Sequence, residues 1–413
     1  MVKSIGVKTG ALRQALGRSQ GFESASPGDG DAIRVRAELQ AALQRLALAP
    51  GDDVFGSVDD RWVSLAQSFL AHQGEQLGAQ RVPSATGGDE AQFDNLDPRW
   101  LRFLVLWAQG HRKHAFPALP ELEPIAADAR LALLSDWGTG LFGAPVCAHS
   151  IAHATPAPHA VIHLGDIYYA GTGDEVQQRF LDHWPAVPGA RNLALNGNHE
   201  MYTGGNAYFD QLLGDPRFAR SSSCFALRNE DWLLVGLDTA YEEHDLCGEQ
   251  AAWLQRLADA NPGHRLMLFS HHQPFSAFEK QGPKLFAKLA TLLASGRVAA
   301  WYWGHEHLCA RYDEHPGWRM HGRCIGHSGF PYFRFFRFLA NGQPDRTAWE
   351  RFEARNYVPG GVVLDGPNEH VPGKELLYGP NGYVMVELRG RAVHETYYGA
   401  DGRLLDEFDI PAA

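Results

Sequence analysis

The feature that most constrains this chain is a series of short apolar runs, each stopping at residues suited to turns or to metal ligation. They are LALLSDWG, AVIHLGD, NLALNGNHE, WLLVGLD, RLMLFSHH and VAAWYWGHEH. Runs this short, bounded by Gly, Asp, Asn and His, read as strands buried on both faces. Between several of them lie DEVQQRFLDHW, EQAAWLQRLADA and PKLFAKLATLLAS, whose apolar residues recur at helical spacing. Alternation of strand and helix predicts an α/β fold. The polar residues then fall just past the strands, where open α/β sheets place their active sites.

The rest of the chain is organised around this core. Residues 1–30 are rich in Gly, Ser and charge and read as a flexible arm. Residues 31–125 carry AIRVRAELQAALQRLALA, RWVSLAQSFLAH and PRWLRFLVLWAQGH, a helical N-terminal region that ends in FPALPELEP, read as a linker. One domain is expected over 126–410. Within it, 337–381 is broken by NGQPD, YVPGG, DGPNEHVPG and YGPNG and reads as a long surface insertion. The final stretch YVMVELRGRAVHETYYGADGRLLDEFDI alternates in the β manner around RG and ADG turns, predicting a hairpin or meander.

Composition narrows the function classes. A formal net charge of −11 opposes nonspecific nucleic-acid binding, which needs clustered Lys and Arg. It does not oppose a phosphate substrate, because bound metal ions can reverse the local field. The five cysteines are scattered without a C-x-x-C pair, so neither a disulfide framework nor a Cys-zinc site is expected. The start of the chain has no apolar run of signal-peptide type and no later segment reads as a membrane span, so a cytoplasmic protein with no membrane partner is the expectation.

Candidate chemistry lies in five blocks: Asp136 in SDWG, Asp166 and Tyr169 in GDIYY, Asn198 and His199 in GNHE, His271 in LFSHH, and His305 with His307 in GHEH. Each alone is a weak signal, since Asp commonly caps a helix and His commonly packs or faces solvent. Their order, and their repeated placement after apolar runs, give the set its weight. In this respect the chain resembles the calcineurin-like metallophosphoesterases of the purple acid phosphatase type, whose pattern is D-x-G, G-D-x-x-Y, G-N-H-E, V-x-x-H, G-H-x-H. All five blocks occur in order between Leu131 and Leu308, with Leu268 at the leading Val position of the fourth.

The resemblance implies a four-layer αββα sandwich with the helical N-terminal region added to it. It also implies a dinuclear metal site, with Asp136, Asp166, Tyr169 and His307 around one ion and Asp166, Asn198, His271 and His305 around the other. Asp166 would bridge, because a carboxylate can hold two cations about 3.5–4 Å apart. Many relatives have D-x-H in the first block; here Gly138 stands at the His position, and Tyr169 would supply the missing ligand as a phenolate. Three anionic oxygen ligands suit a hard ion, so iron is expected there, with iron, zinc or manganese at the mixed N/O site. His305 and His307 must reach different ions, which calls for a bend or loop at Glu306.

The same resemblance implies a phosphoric ester hydrolase acting on a small phosphorylated substrate, a phosphomonoesterase first, with metal-bound hydroxide as nucleophile. A cyclic-nucleotide or other phosphodiesterase is the alternative, and a non-catalytic metal-site scaffold that binds protein is the next. His199 would lie beside the substrate phosphate and stabilise charge or protonate the leaving group. Some purple acid phosphatases carry further histidines after the fourth block; the stretch QPFSAFEKQG beyond His272 has none. Spacing favours His271 over His272 and Tyr169 over Tyr168, which leaves Tyr168 to packing or to the pocket wall. Asp238 in GLDTA reads as a turn residue, and the Phe and Tyr of GHSGFPYF as core.

Overall fold

The structure is a computed structural model. It describes residues 112–412, apart from 169, 280–283, 333, 335–347, 356, 372–374 and 377, together with 7–8 and 53–54. The expected flexible arm and helical region therefore lie almost wholly outside the described residues; the two described pieces pair as short antiparallel strands, Val7–Lys8 with Asp53–Val54.

Beyond residue 113 the chain builds two large sheets. The first contains β2 (Arg130–Leu134), β3 (Ala160–His163), β4 (Arg191–Ala194), β13 (Gly382–Arg389), β14 (Ala392–Gly399) and β15 (Leu404–Ile410), in the order β15-β14-β13-β2-β3-β4. The second contains β1 (Leu122–Pro124), β5 (Phe225–Arg228), β6 (Trp232–Gly236), β7 (Arg265–Phe269), β8 (Val298–Trp303), β9 (Cys309–Glu314), β10 (His321–Ile325), β11 (Trp349–Phe352) and β12 (Gly361–Leu364). Its order is β11-β12-β9-β10-β8-β7-β6-β5-β1. The six runs read as strands supply β2, β3, β4, β6, β7 and β8, and the closing alternation supplies the antiparallel β13, β14 and β15.

The layers follow from side-chain alternation. Leu131 and Leu133 of β2 and Ile162 of β3 share one core with Phe225, Leu227, Leu234, Met267 and Phe269 of the other sheet, so the two sheets face each other. Ala132, Leu134 and Val161, on the opposite face, pack with Ala144, Cys147 and Ile151 of α1 (Ala144–Ala152). Leu233, Val235, Leu266 and Leu268 point away from the inter-sheet core yet are buried, and α2 (Gln250–Ala260) and α3 (Lys284–Ala294) each bury an apolar face. This is the αββα sandwich. Among the described residues no helix is long and apolar enough to cross a membrane, and all five cysteines are free thiols.

Two segments differ from the sequence reading. FPALPELEP, taken as a linker, contributes β1, which pairs in parallel with β5. The stretch 337–381, taken as an irregular insertion, contributes β12, which pairs antiparallel with β9, and β11, which pairs antiparallel with β12 at the edge of the larger sheet. Both segments extend the ends of the larger sheet, their strands are short and Pro and Gly crowd the sequence around them, so the turn residues dominate the local pattern and pairing partners far away in sequence decide the outcome.

One polar network ties the sheets together inside the apolar core. Arg323 on β10 donates from Nε to both carboxylate oxygens of Glu395 on β14, at 2.9 and 2.8 Å. Tyr302 and Tyr397 donate to the same carboxylate at 2.6 and 3.1 Å, and Arg323 Nη1 donates to the carbonyls of Tyr312 and Gly322. Removing one member of such a buried pair strands the other charge. Arg323→Leu should therefore lower the free energy of unfolding by about 3–5 kcal/mol in urea titration, and a loss under about 1 kcal/mol would show that the network contributes little.

Candidate metal centre

Strand register brings the five blocks together. Leu134, His163 and Ala194 are aligned across β2, β3 and β4, so these parallel strands end level and Asp136, Asp166 and Asn198 leave side by side. In the other sheet Gly236, Phe269 and Tyr302 are likewise aligned across β6, β7 and β8, so His271 and the His305–His307 loop leave at the same edge.

Asp136, Asp166 and His307 offer ligand atoms that lie within 4.8 Å of one another, and so do Asp166, His271 and His305; Asp166 belongs to both groups. At the first, His307 Nε2 is 3.4 Å from Asp136 Oδ1. At the second, Asn198 Oδ1 is 2.9 Å from His271 Nε2 and 3.0 Å from His305 Nδ1, while His271 Nε2 is 3.3 Å from Asp166 Oδ1. These side chains are far apart along the chain; the sheet edges alone make them neighbours.

His271 is oriented by its other nitrogen, since Nδ1 lies 3.0 Å from the carbonyl of Leu164. With Nδ1–H donating there, the Nε2 lone pair faces the cluster, the usual device for presenting an imidazole to a metal. His272 points elsewhere, towards Thr239 and His244. The bend expected at Glu306 is present: β8 stops at Trp303, and His305 and His307 both adopt left-handed backbone, φ 69° and 52°. Asp136 and Asp166 do the same, with φ 53° and 78°. Left-handed backbone is costly for residues with a Cβ and gathers at functional sites.

Tyr169 lies outside the described residues. Among the described residues, the tyrosine brought to the carboxylates is its neighbour: the Tyr168 hydroxyl donates to Asp136 Oδ1 at 2.8 Å and lies 2.9 Å from His307 Nε2 and 3.3 Å from Asp166 Oδ2. Tyr168, read from sequence as packing or pocket wall, is thus the phenol in contact with the first group. Gly138 explains why this chain departs from D-x-H: a Cβ there would stand 2.7 Å from the backbone Cα of Ile167, so no histidine fits without moving the GDIYY loop.

Other residues that sequence reasoning left out hold the ligands in place. Ser135 Oγ and the backbone N of His305 both donate to Asp136 Oδ2, at 2.8 and 2.9 Å. Glu200 accepts the backbone N of Asp166 at 3.2 Å, and Gly197 lets that loop pass, since any side chain there would run into the Asp166 carboxylate. Phe330 of GHSGFPYF is buried and stacks on His307 with ring centroids 4.3 Å apart. Asp238 accepts from the backbone N of Ala240 and of Tyr241, the turn role read for it. His199 is buried, donates its backbone N to Asp166 Oδ1 at 3.1 Å, and keeps its ring against Tyr168.

The electrostatics fit a cation. Desolvation, reinforced by the charge of Asp166, pushes the Asp136 carboxyl up to about 7. Burial would also raise Asp166, but His271 and His199 hold it well below the ordinary range. Burial would lower His271, yet Asp166 outweighs it and keeps the imidazole at about 9. Burial, with Asp136 and Asp166 adding to it, drives the Tyr168 phenol well above 10. The pocket therefore concentrates negative charge that a proton or a metal ion can balance, and the buried O and N donors suit two ions sharing Asp166.

Comparison with known proteins places the chain. The calcineurin-like phosphoesterase family matches residues 129–309, the span that carries every block, and that stretch is a calcineurin-like phosphoesterase domain. The match over that stretch supports a metal-dependent phosphoric ester hydrolase. Among solved structures the fold is similar to that of GAP50, the anchor in the inner membrane complex of Plasmodium, at 12% identity and TM-score 0.50 over 69% of this chain and 89% of that one. It is also similar to purple acid phosphatase PPD1 from yellow lupin (Lupinus luteus) seeds, at 14% and 0.48 over 69% and 54%, and to a dimetal phosphatase from Danio rerio, at 12% and 0.41 over 69% and 99%. At such identities the likeness concerns the fold alone. No curated protein sequence matches the chain.

The charge balance sets a pH dependence. A ligand must lose its proton before a metal binds, and Asp136 and His271 are held up at about 7 and about 9. Metal affinity of the stripped protein should accordingly rise as pH climbs from about 6 to about 9, with protons released on binding, as calorimetry in buffers of different ionisation enthalpy would measure. Affinity that is flat over this range would contradict the protonation pattern.

Proposed function

We propose that the chain is a phosphomonoesterase whose two metal ions share Asp166, with Asp136, Tyr168 and His307 completing one site and Asn198, His271 and His305 the other. The observation that supports this reading most is the membership of Asp166 in both ligand groups, since a shared carboxylate is what a two-ion hydrolytic centre requires. Two bound cations would supply positive charge to the phosphate oxygens and an acidified water as nucleophile.

The side chains do the rest. Asp166 is kept ionised by its histidine neighbours and so can hold charge on both sides. Ser135 and the backbone N of His305 fix the Asp136 carboxylate in one rotamer. The Tyr202 hydroxyl accepts from the Asn198 amide nitrogen at 2.8 Å, which aims Asn198 Oδ1 at His271 and His305. His199, tethered through its backbone to Asp166, is the proton donor for the departing alkoxide. A carboxylate and a phenol favour a hard, highly charged ion at the first position, so iron is proposed there, with a divalent ion at the second.

Asp166→Asn should abolish turnover of p-nitrophenyl phosphate and deplete both ions, whereas His199→Ala should keep the ions and lose about 10²–10⁴-fold in kcat on an alkyl phosphate, whose alkoxide needs the proton. Metal analysis beside kinetics separates the two effects, and retention of both ions by Asp166→Asn would refute the shared carboxylate. Bis-p-nitrophenyl phosphate should turn over more slowly than the monoester; the reverse order would make the enzyme a phosphodiesterase. In iron-loaded protein, Tyr168→Phe should remove the phenolate-to-iron visible band and Tyr169→Phe should leave it. Loss in the second variant alone would return the assignment to Tyr169.

A further inference from the structure

A third cluster lies beside the pair and is not needed by it. His244, in the loop after β6, and His272 offer ring nitrogens that lie within 4.8 Å of each other and of one from His305. The rings are packed at steep angles, with centroids 3.8 Å apart for His244 and His272, 4.6 Å for His272 and His305, and 5.3 Å for His244 and His305. His244 holds left-handed backbone, φ 56°, so the chain bears a local cost to turn this side chain inward.

Both outer members carry a nitrogen without a purpose in the fold. His244 and His272 are 2% and 0% exposed, and His244 Nδ1 and His272 Nε2 have no hydrogen-bond partner. Buried polar atoms are nearly always paired, so two adjacent exceptions call for an explanation. His272 Nδ1 lies 3.1 Å from Thr239 Oγ1. A neutral ring with Nδ1–H donating to that hydroxyl has a free Nε2 lone pair, the unpartnered atom, with which to bind a cation.

We propose that His244, His272 and His305 form a third cation site, built from nitrogen donors only, that takes a borderline divalent ion such as zinc. Three imidazoles match the N-rich first shell of zinc, and small ring rotations bring donors at this spacing to Zn–N bonds of about 2.0–2.1 Å. Hard ions such as magnesium or calcium, which demand oxygen, are excluded by the same donor set. His305 serves both centres as an imidazolate, giving up its remaining N–H proton to solvent when both ions bind, and its Nδ1 is the nitrogen facing Asn198. This third site rests on the histidine cluster and not on the catalytic reading.

The test is zinc stoichiometry of the full chain after chelator stripping and reloading, measured by mass spectrometry, with far-UV circular dichroism as the folding control. His244→Gln should hold one ion fewer than wild type, and Asp166→Asn should retain about one ion that the double variant Asp166→Asn, His244→Gln loses. Cobalt bound to Asp166→Asn should give ligand-field absorption that disappears in the double variant. If His244→Gln does not fold, His272→Gln carries the same expectation. Equal zinc content in wild type and the folded His244→Gln or His272→Gln chain overturns the proposal, and loss of ions in Asp166→Asn alone reports on the dinuclear centre instead.

Discussion

Two carboxylates buried within reach of one another constrain everything around them. Asp136 and Asp166 have only histidines as ion-pair partners among the described residues, and desolvating such groups without compensating charge is expensive. The structure answers partly with hydrogen bonds, from Ser135, Tyr168 and backbone amides, and partly by keeping a proton on Asp136 and His271. The proposed metal pair would replace those protons and neutralise the same field.

That requirement explains the backbone. The side chains must leave five strand ends and turn at once towards a common point, so Asp136, Asp166, His305 and His307 take left-handed conformations. Such strain persists only where surrounding packing over-determines it. Here the level strand ends, the buried inter-sheet core and the Arg323–Glu395 network hold the two edges in place. Rigid layers below and strained loops above are two sides of one arrangement, in which the sandwich bears the cost of the site.

Much of this could be read from the residues in order. Buried runs announced the central strands because period and length are local properties, and the five blocks stood out because each sits directly after such a run. The choice of His271 over His272 followed from spacing and agrees with where the two rings point. Edge strands were less legible: β1 and β12 pair with β5 and β9, far away in sequence, β11 depends in turn on β12, and their surroundings are dominated by Pro and Gly. Spacing ranked Tyr169 above Tyr168, and the contact of Tyr168 with Asp136 was not legible, because it depends on how the loop closes against Gly138 and Ile167. His244 carried no signal at all, because its partners lie in other loops and no motif surrounds it.

The central claim concerns one side chain, and anomalous diffraction from crystals of metal-loaded protein addresses it without reference to turnover. Two peaks about 3.5–4 Å apart, with one oxygen of Asp166 on each, are the predicted result. A single peak, or two peaks of which only one touches Asp166, would contradict the account.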